Sequence, residues 1–183
     1  MSKIVYQGKT KTGIEIIIRY LEKGDEVEMT RYINELSKEK TFITFQGEEI
    51  TFKGEKEYAD GFLKKIAEKT AIKLLVIHDS KIIGISDIGM GERTAKHVGI
   101  FGITVAKEFR NQGVGRLLMQ VTLKEAENEI PALKIVTLEV FAKNPIAKKI
   151  YEGFGFIEYA LLPNGISRDN AFEDAILMYK NIK

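Results

Sequence analysis

Apolar residues fall along the chain in two rhythms that predict its elements. Ile14 to Tyr20 (IEIIIRY) is rich in β-branched residues and reads as a strand. Met29, Tyr32, Ile33 and Leu36 then recur at i, i+3, i+4, i+7, the stripe of an amphipathic helix, and Asp25 with Glu28 ahead of them has the spacing of a capping box. Residues 38–54 are irregular, with Phe42, Phe45 and Phe52 scattered among Thr, Gly and Glu. A second helix gathers Tyr58, Phe62, Leu63 and Ile66 on one face, with Asp60 and Lys64 spaced as an i,i+4 pair.

Ile72 to His78 and Ile82 to Ile88 flank the turn Asp79-Ser80-Lys81 as a hairpin, and Val98 to Val105 is a further strand. After a glycine-bearing loop, Val114, Leu117, Leu118 and Val121 mark another helix, which Pro131 ends. Ile135 to Phe141 is a strand and Asn144 to Glu152 a helix closed by Gly153 and Gly155. Phe156 to Leu162 and Ala175 to Tyr179 are strands joined by a polar loop that begins Pro163-Asn164-Gly165. The order is β-α-α-β-β-β-α-β-α-β-β. The short hairpin makes its strands antiparallel, whereas the later β-α-β crossovers require parallel neighbours. The expectation is an α/β fold on a mixed sheet, with a ligand pocket beyond the carboxyl ends of the strands.

With no linker, repeat or low-complexity tract, residues 1–183 read as a single domain. A formal charge of +2, and no Lys/Arg run longer than two, argues against a nucleic-acid surface. The absence of cysteine removes disulfides, thiolate metal sites and a cysteine nucleophile. No spacing suggests any other metal site. Met1 to Gly13 lacks a signal-like apolar stretch, and no run of about 18 apolar residues suggests a membrane span. The default address is the cytoplasm. A homodimer is left open by the sequence.

The loop carries the chemistry. Arg110-Asn111-Gln112-Gly113-Val114-Gly115-Arg116 lies where a strand feeds a helix. Two glycines let backbone N–H groups approach an anion at the positive end of the helix dipole, and two arginines add full charges. A pyrophosphate fits such a loop. A plain strand-to-helix turn with solvated arginines fits it as well. A dinucleotide-binding Gly-x-Gly-x-x-Gly would need glycine where Leu118 stands, and no Gly-Lys-Ser/Thr of a Walker loop occurs.

Arg-x-x-Gly-x-Gly after a hydrophobic strand resembles the pyrophosphate loop of the GCN5-related N-acetyltransferase (GNAT) superfamily. Downstream, Leu138-Glu139-Val140, Asn144, Ala147, Ile150-Tyr151-Glu152 and Gly155-Phe156 resemble that family's second signature, and His97-Val98-Gly99 to Gly102-Ile103-Thr104-Val105 resembles its strand into the loop. The resemblance covers about 97–157. It implies a single-domain, mostly antiparallel central sheet with flanking helices, and direct transfer of acetyl from acetyl-CoA to a primary amine in a ternary complex. The acceptor would be a small-molecule amine, an amino acid or a protein amine. Such a reaction needs neither metal nor nucleic acid nor membrane. A catalytically silent acyl-CoA-binding sensor is the alternative.

By the same resemblance, Ile103, Thr104 and Val105 pair with pantetheine as a strand would, and a main-chain N–H polarises the thioester carbonyl. Residues 110–116 hold the pyrophosphate. Tyr151 is the family's acid: a phenol of ordinary pKa about 10 stands near enough to a thiol's roughly 8.5 to donate. Packing against Ile146, Ala147, Ile150 and Phe154 is its other reading. Asn144 serves the cofactor or caps its helix. Glu139, twelve residues before Tyr151, shares a strand face with Ile135, Thr137 and Phe141. Apolar enclosure would raise its pKa and suit it as base, the role a glutamate at this spacing has in the ribosomal-protein alanine acetyltransferase branch. A partner of a nearby lysine or arginine is its other reading. Relatives carry an acid where Ile100 stands, which leaves Glu139, Asp87, Glu92 or a water chain. His78 and His97 read as structural or surface groups. Acceptor specificity is expected from Lys38–Lys56 and Pro163–Phe172.

Overall fold

The computed structural model describes residues 3–168 and 171–182. The elements are β1 (Ile4–Lys9), β2 (Glu15–Tyr20), α1 (Glu26–Lys38), α2 (Phe52–Ala67), β3 (Ala71–His78), β4 (Lys81–Met90), β5 (Val98–Val105), α3 (Val114–Glu129), β6 (Ile135–Phe141), α4 (Pro145–Gly153), β7 (Ile157–Arg168) and β8 (Ala171–Asn181). The strands form one sheet in the order β1-β2-β3-β4-β5-β6-β8-β7. Among the described residues β5 and β6 are its one parallel pair, and the remaining ladders are antiparallel.

The predicted order holds with one addition. Strand β1 is an edge strand with no fully buried residue, so it carries no apolar alternation for a sequence reading to find. The hairpin between β3 and β4 turns on Asp79 (φ 46°) and Ser80 (φ 63°), the left-handed geometry a two-residue turn demands.

Three local expectations are corrected. Asp25 does not cap α1 through its side chain. Its carboxylate receives Arg19 in a fork (2.6 and 2.7 Å) and the Glu22 N–H (2.8 Å), which occupies both oxygens. Asp60 pairs with Lys56 at 2.8 Å rather than with Lys64, which faces Glu68 at 4.0 Å. Pro163-Asn164-Gly165 does not open a loop: β7 runs through it with a register shift between Leu162 and Ile166, and Asn164 takes φ 57°. An edge strand accommodates a proline because its outward N–H has no partner to lose. The tip of the segment Pro163–Phe172, residues 169–170, lies outside the described residues.

Helices cover both faces of the sheet. Ile72, Leu74 and Val76 of β3 pack with Val114, Leu118 and Met119 of α3 in one core. Leu75 of the same strand packs on the other side with Met29, Tyr32 and Leu36 of α1 and Ala59 of α2. Burial on both faces explains why β3 reads as a nearly unbroken apolar run rather than an alternation.

The feature that positions the site is a parting of strands. β5 pairs with β4 from Gly99↔Met90 to Val105↔Gly84, and β6 pairs with β8 from Ile135↔Asn181 to Phe141↔Ala175. β5 and β6, however, meet only at Val98↔Ile135, Gly99↔Val136 and Ile100↔Thr137. Beyond that point the two halves of the sheet diverge. Phe101, the first residue past the ladder, packs with Tyr151 (6.2 Å between ring centroids) and Phe156 (6.3 Å), so aromatic bulk sits at the root of the opening.

Candidate active site

The parting strips β5 of one set of backbone partners. From Phe101 to Val105 the strand keeps its ladder to β4 but none to β6, leaving main-chain groups directed into the gap, apart from Val105 O, which Arg110 Nε occupies. The expected residues Ile103, Thr104 and Val105 are therefore on an open edge. Ile103 and Val105 pack into the core beneath α3. Thr104 projects from the opposite face, where its Oγ1 accepts a 3.0 Å hydrogen bond from Tyr32 of α1. Burial drives the Tyr32 phenol above its ordinary pKa, against the pull of that hydrogen bond.

The loop after β5 begins with a tight turn over Lys107–Phe109. Asn111 (φ 60°) and Gly113 (φ 82°) then take left-handed conformations and swing the chain into α3. Gly113 is the N-cap and no side chain caps the helix. Leu117 N–H already reaches Gly113 O at 3.0 Å. The N–H groups of Val114, Gly115 and Arg116 precede it in the first turn and lack intrahelical acceptors. They point outward at the positive end of the helix, ready for an anion. A Cβ on Gly115 would meet Val105 Cγ2 at 3.5 Å, ordinary contact, whereas any side chain on Gly113 must adopt an unfavourable φ.

The two arginines do different work. Arg110 is turned inward: its Nε donates to Val105 O (3.0 Å) and its Nη2 pairs with Glu39 just past α1 (2.7 Å), so it ties the loop to β5 and α1. Arg116 lies with its guanidinium 5.1 Å from the Phe154 ring, bridging the start of α3 and the end of α4. Gln112 Nε2 donates to Glu108 O, and its own carbonyl accepts from Thr12 Oγ1 at 3.0 Å. The β1–β2 turn thus buttresses the loop from outside, across about 100 residues of sequence. Nothing in the local pattern announces either the Glu39 or the Thr12 contact.

Helix α4 supplies the remaining groups. Asn144 Oδ1 accepts the Ala147 N–H at 3.1 Å, so the asparagine is a cap; its amide nitrogen takes no part in that bond. Tyr151 stands in the three-ring cluster with Phe101 and Phe156, its phenol pushed up to about 12 by burial. Its hydroxyl has no hydrogen-bond partner among the described residues and is not sealed off from solvent. Packing and availability coexist: the ring is held and the oxygen is free.

Glu139 lies on β6 two residues past the last β5–β6 pair, on the face opposite the buried Val136, Leu138 and Val140. It is exposed, and among the described residues it makes no ion pair. The apolar enclosure inferred from its strand neighbours is absent because that face borders the opening. Ile100, at the end of the ladder, is 64% exposed. Glu92 is exposed at a turn before β5. Asp87 is held by Lys73 at 2.7 Å. Lys73 is a residue that the sequence reading passed over; a lysine inside the apolar run IKLLVI was its signal. Among the described residues no three His, Cys, Asp or Glu side chains gather as a metal site, and no helix is long and apolar enough to cross a membrane.

Open backbone on a parted strand, uncapped amides at a helix start and a free phenol together suit a long ligand with an extended amide chain at one end and phosphates at the other. The sequence pattern of the Acetyltransferase (GNAT) family matches residues 30–156. An L-amino acid N-acetyltransferase of Escherichia coli is 33% identical over 95 residues, 51% of this chain and 58% of that protein. The ribosomal protein bS18-alanine N-acetyltransferase of Salmonella typhimurium is 34% identical over 79 residues, 43% of this chain and 52% of that protein. The chain thus spans little more than half the length of these curated relatives. The crystal structure of a GNAT-family acetyltransferase from Streptococcus pneumoniae superposes with a TM-score of 0.84 at 27% identity, over 92% of this chain and 100% of that one.

Proposed function

The chain belongs to the acetyltransferase (GNAT) family, and on that premise we propose that it transfers the acetyl group of acetyl-CoA directly to a primary amine. The observation that carries this reading is the parting of β5 from β6 beside the uncapped start of α3. The pantetheine arm fits the open edge Phe101–Val105, pairing with Ile103, Thr104 and Val105 as a strand would. The pyrophosphate fits the N–H groups of 113–116, with Arg116 as the nearby cation and Arg110 as the brace that holds the loop. Gly113 keeps side-chain bulk away from those amides.

Acetyl-CoA brings an activated acyl group as a thioester. A β5 main-chain N–H directed into the gap polarises the thioester carbonyl and receives the developing oxyanion. Tyr151 sits at the root of the gap and donates its proton to the leaving sulfur; burial keeps the phenol protonated throughout the neutral range. Glu139, exposed on the far lip, takes the proton from the incoming amine. The arriving ammonium gives one proton to Glu139 before attack. The nitrogen–carbon bond then forms and the carbon–sulfur bond breaks as Tyr151 protonates the sulfur. The second nitrogen proton, lost as the amide forms, restores the phenol by way of solvent. The acceptor approaches from the face that carries Ile100, Thr104 and Glu139, opposite the α3 side. The two named relatives, acting on an amino acid and on a ribosomal protein alanine, support an amine acceptor of this general kind.

The test is thiol release from acetyl-CoA against amino acids, polyamines and N-terminal peptides, with Tyr151→Phe run alongside. Turnover that falls by roughly 10²–10⁴ in the variant, with acetyl-CoA affinity little changed, is the expected result. A cofactor-binding protein without turnover on any acceptor would be a sensor instead.

A further inference from the structure

A row of side chains crosses the sheet and ends at the gap. Lys73 of β3 is directly opposite Asp87 of β4, and Asp87 is directly opposite Gly102 of β5. Gly102 and Glu139 each lie two residues past Ile100↔Thr137, the last pair of the β5–β6 ladder, on facing lips of the opening. Lys73, Asp87 and Gly102 thus lie in line on the acceptor face, and Glu139 stands across the opening from them. Gly102 has no side chain to block the line. A Cβ built there would stand 3.6 Å from Asp87 Oδ1, so that oxygen looks over the glycine toward the gap.

Asp87 is held in this pose from behind. Lys73 Nζ donates to Asp87 Oδ2 at 2.7 Å and to Tyr58 Oη at 3.2 Å. The ammonium also lies 4.7 Å from the Tyr58 ring centre and 4.5 Å from that of Phe62, both on α2. The lysine is almost fully buried, and Asp87 keeps 21% of its side chain accessible. Oδ1 has no partner among the described residues. Oδ1 is open to solvent, so an incoming donor can reach it by displacing water. Here it faces the place where the reacting nitrogen must arrive.

We infer that Asp87 anchors the acceptor, its Oδ1 accepting a hydrogen bond from the cationic primary amine across Gly102 while Glu139 faces the same nitrogen from the other lip. Lys73 is the positioning residue that aims Asp87. Strands in a sheet stand about 4.8 Å apart, so Asp87 and Glu139 are separated by one such spacing from β4 to β5 and then by the opening from β5 to β6, room for one nitrogen between two carboxylate side chains. The division of labour follows from the contacts: Asp87 has one oxygen committed to Lys73 and serves to hold, whereas Glu139 is unpaired and serves to take the proton.

This inference rests on the acetyl-transfer reading, and its test separates the two. Gly102→Ala fills the window without removing any charge. Asp87→Asn with Lys73→Met removes anchor and partner together, so no buried lysine is stranded. With an acceptor that the wild-type protein acetylates, both variants should raise KM for the amine tenfold or more, with saturated kcat less affected than KM, and in the double variant acetyl-CoA affinity should stay within about twofold. An unchanged amine KM in either folded variant overturns the anchor. If the wild-type protein turns over no amine, the acetyl-transfer reading fails, and the anchor is read by titrating n-butylammonium while following the Gly102 amide by nitrogen-15 NMR. Saturable shifts in wild type that vanish in the double variant support it. Equal shifts in both, or none in wild type, overturn it.

Discussion

Tyr151 shows how its surroundings set a proton donor's range. Burial in the Phe101–Phe156 cluster pushes its phenol up to about 12 from an ordinary value of about 10. The group is neutral in both folded and unfolded chains below pH 10, so its contribution to stability is complete there. Above pH 10 the unfolded chain ionises first, and that contribution is lost as pH rises toward 12. Denaturant melts between pH 9 and 11 should therefore show a steeper loss in the wild-type protein than in Tyr151→Phe; equal slopes would mean the phenol ionises as easily folded as unfolded. Glu139 works by the opposite circumstance, exposure without a partner. Glu139→Gln should lower kcat/KM at neutral pH while acetyl-CoA affinity holds. The deficit should shrink as pH approaches the acceptor's own pKa, because free amine then arrives without a base. A loss that is equal at every pH would point away from proton transfer.

Among the elements, the loop and α3 are where sequence and structure agree most closely. The pattern from Val98 to Val121 gave strand, loop and helix because each depends on neighbours in the chain: β-branched residues, two glycines, then a 3.6-residue stripe. Contacts that cross the chain were not legible. Arg110 reads as a phosphate ligand until Glu39, 71 positions earlier, is found holding it. Strand β1 and the irregular run through Pro163 lie at the two edges of the sheet, where burial leaves little mark on the sequence. Glu139's neighbours read as an apolar face, but only the structure shows that this face opens. At this scale the decisive position is Gly113, whose φ of 82° aims the first-turn amides outward. Gly113→Val should weaken acetyl-CoA binding tenfold or more, about 1.4 kcal/mol, in a protein still folded at the temperature of the titration. Calorimetry showing wild-type affinity would remove the amides from the cofactor site.

Across the whole molecule, the chain is two blocks of sheet joined by a short parallel ladder. β1 to β5 form one block and β6, β8 and β7 the other, with three residue pairs between them. α3 and α4 each follow one lip of the gap, so loop amides and phenol converge from separate blocks on one opening. The order of elements was readable from sequence, and so was the parallel crossover; the depth of the parting was not, since no local pattern records where a ladder stops. Acetyl transfer by this fold requires that the opening receive acetyl-CoA along the free edge of β5, and amide hydrogen exchange with and without the cofactor tests this most directly. Slower exchange on binding is predicted at Phe101–Val105 and at residues 111–116, with Leu74–Val76 in the doubly covered strand β3 unchanged. Exchange at Phe101–Val105 that is indifferent to saturating acetyl-CoA would contradict it.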